Sequence, residues 1–239
     1  SPALRFAPGY AVFPGGALDP LDGSPEALAL LDGWPARPPA VAGVEVTPAH
    51  VVSAVRECFE EAGVLLARDP EGRPVHADPA RAGSLARLRR AVQDEGSAAA
   101  FFDALRRERL RMDGGALRYF GHWVTHSASP IRFDTRFFAA PLPDGAAPVP
   151  CAREVTEGGW WRPADALAAF LEGYGPVDWE RIMRELPAAE ALAAAAAGRR
   201  LALLPPTEAT LRFLAAFDSL GALLAHLDDG TLKLEGLPV

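Results

Sequence analysis

The feature that most constrains this chain is a run of nine residues, Arg56-Glu57-Cys58-Phe59-Glu60-Glu61-Ala62-Gly63-Val64. Thr47-Pro48 upstream is a strong helix start, a hydroxyl N-cap followed by proline in the first turn. Gly63 is a good residue to end that helix in the left-handed region. The helix therefore spans about Pro48 to Ala62. Glu57, Glu60 and Glu61 stand at i, i+3 and i+4 and share one face within a single turn. Three carboxylates so close repel one another. A divalent cation relieves the repulsion, and an all-oxygen donor set suits Mg²⁺ or Mn²⁺. Arg56, four residues before Glu60, can orient that carboxylate. Val52, Val55, Phe59 and Ala62 occupy the opposite face and can bury against a sheet. Taken alone, the segment is equally compatible with an ordinary solvated acidic face.

Composition narrows the surroundings. The chain has 239 residues, 49% apolar and 23% charged, enough for a packed core and unlike a disordered chain. Its formal charge is −7 with no long basic run, which argues against nucleic acid as the main partner, since that affinity rests on cationic neutralisation of phosphates. The two cysteines, Cys58 and Cys151, are too few for a disulfide scaffold or a structural zinc site, and a reducing, cytoplasmic setting is expected. The five histidines lack zinc-ligand spacing. There is no Gly-x-Ser-x-Gly elbow for ester hydrolysis. No apolar run approaches the ~20 residues of a membrane span, and no leader pattern is visible.

Along the chain, residues 4–16 read as a short strand closed by Pro14-Gly15-Gly16. The proline-rich residues 17–46 read as a loop-rich insertion, ordered at least in part. Residues 80–94 and 97–112 are expected to be helices, 117–126 and 131–141 strands, and 155–161 another short strand. Helices at 163–172 and 178–197 follow. Thr207 is expected to cap a final amphipathic helix running to about Leu227. Trp160 and Trp161 are assigned to the core and a pocket wall.

The pattern from Gly16 to Val64 resembles the Nudix box, G-x5-E-x7-R-E-U-x-E-E-x-G-U, with U a bulky aliphatic residue. Gly16 matches the first glycine, Arg56 to Val64 match the second half, and Cys58 stands in for the aliphatic residue. Asp22 occupies the place of the first glutamate, and 33 residues rather than seven separate it from Arg56; that spacing assigns Asp22 no role. The long insertion, Trp123-Val124-Thr125, Arg132-Phe133-Asp134-Thr135-Arg136-Phe137-Phe138, Glu154 to Trp160 with Pro163, and Leu204-Pro205-Pro206-Thr207 are similar to segments of the coenzyme A diphosphatase branch of the Nudix superfamily. Arg5, Gly9, Phe13, Pro14, Gly15 and Gly16 fit that branch's R-x3-G-x3-F-P-G-G spacing.

The resemblance implies an α/β fold: a Nudix α/β/α sandwich with a mixed sheet, a helical insertion at 68–113 and a C-terminal helical region at 175–239, all one domain over 1–239. It implies a hydrolase of a diphosphate bond, using Mg²⁺ or Mn²⁺ held by Glu57, Glu60, Glu61 and the Gly16 carbonyl. Glu60 or Glu61 is the first choice for the base, Glu154 the second, and Arg56 completes the catalytic set. Arg5, Gly9, Phe13, Arg132 and Arg136 are the substrate-binding candidates, although both strand arginines could equally pair with carboxylates. The expected substrate is coenzyme A or an acyl-CoA. Another nucleoside diphosphate linked to X, such as ADP-ribose, a dinucleotide or a nucleotide sugar, stays open, and so does a non-catalytic binding module. The expected partners are a small-molecule nucleoside diphosphate, with no nucleic acid and no membrane; a homodimer is the assembly allowed for.

Overall fold

A computed structural model describes residues 10–34, 44–125, 132–151, 158–174 and 203–229. The chain divides into two compact units, one of residues 14–119 and 138–158, the other of residues 1–13, 120–137 and 159–239. No helix among the described residues is long and apolar enough to cross a membrane.

The first unit is built around the glutamate-bearing helix. A short helix α1 (Pro25–Leu28) precedes it, N-capped by Ser24, whose Oγ accepts the Ala27 N–H. Helix α2 spans Pro48–Ala62. Thr47 and Pro48 open it as the sequence predicts, with His50 filling the usual place of Glu or Gln in the capping box: its Nδ1 accepts the Thr47 N–H at 3.0 Å. Gly63 closes it at φ 72°, its N–H reaching Phe59 O. Val51, Val52, Val55 and Phe59 are fully buried, each worth roughly 1.5–3 kcal/mol of apolar burial. They pack with Leu65, Phe101, Leu105, Leu110 and Met112 in one core. Helices α3 (Ala82–Glu95) and α4 (Ala98–Glu108) supply much of it.

A mixed three-stranded sheet accompanies these helices, in the order β1 (Leu31–Asp32), β3 (Arg111–Asp113), β2 (Ala67–Arg68). Strand β1 runs parallel and β2 antiparallel to β3, bringing Leu31, Met112 and Ala67 into register. On the exposed side Arg111 pairs with Asp32 and Arg68 with Asp113.

Strand β4 (Arg118–Val124) pairs with β5 (Asp134–Ala139) in a separate two-stranded sheet. In the second unit, α5 (Pro163–Tyr174) and α6 (Pro205–Leu214) share a small core of Ala166, Leu167, Phe170, Leu203 and Leu211. Phe120 stacks on Phe213, ring planes 4° apart. A last helix, α7, spans Leu220–Asp228.

The loop-rich insertion of residues 17–46 is ordered in part, as expected, through the short elements α1 and β1. Several expectations need correction. The helix expected to run to residue 112 ends at Glu108, because Arg109 turns left-handed at φ 56° and the Leu110 N–H reaches back to Leu105 O; β3 follows. The single helix expected from Thr207 to Leu227 is two. Thr207 lies inside α6, whose N-cap is Leu204, and Ser219 starts α7 by accepting the Ala222 N–H on its Oγ, a local bond that competes with helix continuation. Gly158–Trp161 are not in a strand. Trp160 and Trp161 are 76% and 50% exposed rather than core. Of the strand expected at 4–16, the described part shows one isolated bridge, Ala11 to Leu203. Residues 1–9, residues 155–157 of the strand expected at 155–161, and the helix expected at 178–197 lie outside the described residues.

Candidate active site at the glutamate helix

The site centres on the outer face of α2 and the glycine loop before α1. Gly15 N–H donates to Glu61 Oε2 at 3.0 Å. Gly16 comes so close to Glu57 that a Cβ there would overlap its carboxylate. Only glycine permits this approach, which places the Gly16 backbone beside one of the three glutamates.

Arg56 is the hub. Its side chain is 7% exposed, and its Nε and Nη2 form a two-pronged pair with Asp22, at 3.0 and 2.9 Å. Nη2 also donates to the Ala17 carbonyl, while Nη1 donates to Glu57 at 2.7 Å and approaches Glu60 at 3.5 Å. Burial alone would lower the Arg56 pKa; Asp22 and Glu57 more than offset that and hold the guanidinium charged. One cation is thus shared by three carboxylates, and it carries part of the charge relief that the sequence assigns to a metal. Cys58, in the aliphatic place of the pattern, behaves as an apolar residue: burial, then the nearby Glu61 charge, pushes its thiol up to about 11.

Asp22 is the residue that sequence reasoning passed over. Its side chain is fully buried, and the pair with Arg56 restores in space what the 33 intervening residues break in sequence. The signal was present: Asp22 stands where the pattern calls for an acid, five residues after Gly16. Two further residues had no sequence signal. Arg89 and Gln93 of α3 donate to the Glu60 carbonyl, and Arg89 also to that of Glu61.

The structure thus brings Gly16, Arg56, Glu57, Glu60 and Glu61 together in one unit, with Asp22 added. Among the described residues, no group of three or more His, Cys, Asp or Glu side chains is drawn into a ready ligand cluster. The donor set still fits a hard divalent cation. Glu57, Glu60, Glu61 and the Gly16 carbonyl are all oxygen donors, and the missing Cβ at Gly16 leaves loop and carboxylate face to face.

Phe13, Arg132 and Arg136 belong to the second unit. Phe13 meets Phe137 edge-on, and Arg132 donates to the Thr125 carbonyl. Arg136 pairs with Asp134 at 2.7 Å, and His122 pairs with the same carboxylate. Desolvation would raise the Asp134 pKa, but His122 and Arg136 hold it below the usual value. Arg5, Gly9 and Glu154 lie outside the described residues.

Comparison with known proteins shows the family and the fold. The NUDT19 Nudix domain family matches residues 43–174. The human acyl-coenzyme A diphosphatase NUDT19 is 30% identical over 211 residues, which make up 72% of this chain and 54% of that protein. The chain thus spans about half the length of that curated relative. The crystal structure of a Nudix hydrolase from Alicyclobacillus acidocaldarius is 28% identical, with a TM-score of 0.64 over 95% of this chain and 85% of that one.

Proposed function

Because this chain belongs to the NUDT19 Nudix domain family and is a Nudix hydrolase of α/β fold, we propose that it hydrolyses the diphosphate of coenzyme A or an acyl-CoA. The products would be 3′,5′-ADP and (acyl-)4′-phosphopantetheine. The observation that carries the chemistry is the glutamate face of α2 closed against the glycine loop, with Gly16 beside Glu57 and Gly15 N–H on Glu61. The substrate class is supported by the likeness to a human protein named an acyl-coenzyme A diphosphatase.

Water attacks one phosphorus, the bridging P–O bond breaks, and the water proton passes to a carboxylate. Glu60 or Glu61 is the proposed base, Glu154 the second choice. Mg²⁺ or Mn²⁺, held by Glu57, Glu60, Glu61 and the Gly16 carbonyl, would neutralise the diphosphate and make the water more acidic. Arg56, fixed by Asp22, keeps Glu57 and Glu60 turned towards the same side. Gly15 does the same for Glu61 through its backbone N–H. Arg5, Gly9, Phe13, Arg132 and Arg136 are proposed to bind the substrate, Arg5 by meeting the 3′-phosphate with its planar fork.

The test is a panel of coenzyme A, 3′-dephospho-coenzyme A, ADP-ribose, a dinucleotide and a nucleotide sugar. Each is incubated with Mg²⁺ and the products are read by mass spectrometry. Coenzyme A is expected to give the highest kcat/KM, with turnover lost in EDTA and restored by Mg²⁺ or Mn²⁺. A preference for ADP-ribose would overturn the substrate and leave the diphosphatase chemistry standing. Undiminished turnover after chelation and dialysis would overturn the metal requirement.

A further inference from the structure

The carboxyl end of α2 is held from outside the helix, at the glutamates. A helix leaves its last carbonyls without intrahelical partners. Here each finds one. Glu60 O accepts from Arg89 Nε at 3.0 Å, Arg89 Nη2 at 2.9 Å and Gln93 Nε2 at 2.6 Å. Glu61 O accepts from Arg89 Nη2 at 2.7 Å and from the Cys151 N–H at 2.7 Å, and Ala62 O accepts the Val149 N–H. The Arg89 guanidinium lies over Gly63, where a Cβ would press on its Nη1.

Arg89 and Gln93 stand four apart on α3 and so share one face. A cation at a helix carboxyl end is favoured by the helix dipole. Only arginine can present a rigid fork in which Nε and Nη2 grasp one carbonyl while Nη2 also reaches the next; lysine has a single point of charge. The two carbonyls held belong to Glu60, whose carboxylate is approached by Arg56, and to Glu61, whose carboxylate accepts the Gly15 N–H.

We infer that Arg89, seconded by Gln93, is a positioning residue for the reaction: it fixes the last turn of α2 so that the Glu60 and Glu61 carboxylates keep their places beside Arg56 and Gly15. This rests on the reading of those glutamates given above. Outer partners that orient ligand groups typically cost 10–100-fold in metal affinity or activity when removed, and Arg89 acts through the backbone in that way.

The experiment uses the full chain and compares wild type with Arg89→Ala, Arg89→Lys and Gln93→Leu. Arg106→Ala, which removes an exposed pair with Asp103 on the neighbouring helix α4, serves as control. Mn²⁺ affinity is measured without substrate by electron paramagnetic resonance of the free ion, alongside kcat, KM and Tm. Arg89→Ala is expected to lose about 10–100-fold in Mn²⁺ affinity or kcat with KM nearly unchanged. Arg89→Lys should recover Tm but not the lost affinity, and Arg106→Ala should match wild type. A folded Arg89→Ala protein with wild-type Mn²⁺ affinity and kcat, or one changed in Tm alone, overturns the inference. If Arg89→Ala does not fold, wild-type values in both Arg89→Lys and Gln93→Leu overturn it equally. Glu60→Gln and Glu61→Gln are measured in parallel. If they too leave Mn²⁺ affinity intact, the reading of the glutamates has failed, whatever Arg89 does.

Discussion

Residues 17–46 and residues 68–113 both reach α2, but they take hold of it differently. The first segment brings a fully buried carboxylate, Asp22, to the Arg56 side chain near the middle of the helix. The second brings a partly exposed guanidinium, Arg89, to backbone carbonyls at the helix end. The Asp22 contact joins two full charges away from water. Removing Asp22 takes the two-pronged partner from a buried guanidinium and leaves its Nε and Nη2 side under-compensated, at a cost of several kcal/mol. The Arg89 contact joins a charge to peptide dipoles and can lose a partner at lower cost to the fold, since water can reach the site. From this difference, breaking the first grip should damage stability, and breaking the second should damage geometry.

The largest effect is therefore expected at Asp22. Asp22→Ala should lower unfolding free energy by about 3–5 kcal/mol, as for other broken buried pairs, read from the urea midpoint. Asp22→Asn keeps the shape and should lose less. A loss below ~1 kcal/mol, typical of an exposed pair, would mean that this grip is no stronger than a surface contact.

Next come the carboxylates that both grips serve. Glu60→Gln and Glu61→Gln should each lower kcat by about 10²–10³ with little change in the urea midpoint, the scale for losing a transition-state contact. A fall of less than tenfold in both would remove this face from the chemistry. Gly16→Ala should follow at up to about 10²-fold in kcat, because the added Cβ must push Glu57 aside, and misplacement by an ångström costs about that much. Wild-type kcat in Gly16→Ala would show that the close approach of loop and carboxylate is not needed.

How much of this was legible in the sequence depended on how local each signal is. Helix α2 was readable because its period, its Thr47-Pro48 start and its Gly63 stop agree within one segment. The long strands β4 and β5 were readable from alternation. Strands β1, β2 and β3 have two or three residues each and pair across long separations, so no window of sequence contains their cause. Arg109 adopts a left-handed turn that its residue type does not announce. Trp160 and Trp161 show that a large apolar side chain need not be buried. Asp22 is visible by type, but its spacing argues against it, because linear spacing ignores a chain that loops out and returns. Arg89 carried no mark at all, since a helix end capped by another helix is a tertiary event.

The smallest expected effect concerns a second contact from residues 68–113, just past the end of α2. The Leu65 N–H donates to His76 Nε2 at 2.9 Å, so the ring must be neutral at that nitrogen, with its proton on Nδ1. Burial lowers the His76 pKa below its ordinary value. The unfolded chain therefore binds a proton more readily than the folded one between the ordinary pKa of about 6.5 and the depressed folded value. Stability from this group is complete above the ordinary pKa and declines as pH falls through that window. The wild-type urea midpoint should thus drop between about pH 7.5 and pH 5. In His76→Gln, whose amide oxygen can still accept from Leu65, that part of the slope should disappear. The other histidines remain in both proteins, so the difference between the two curves isolates His76. Parallel curves over the whole range would show that the Leu65 contact tolerates a charged ring.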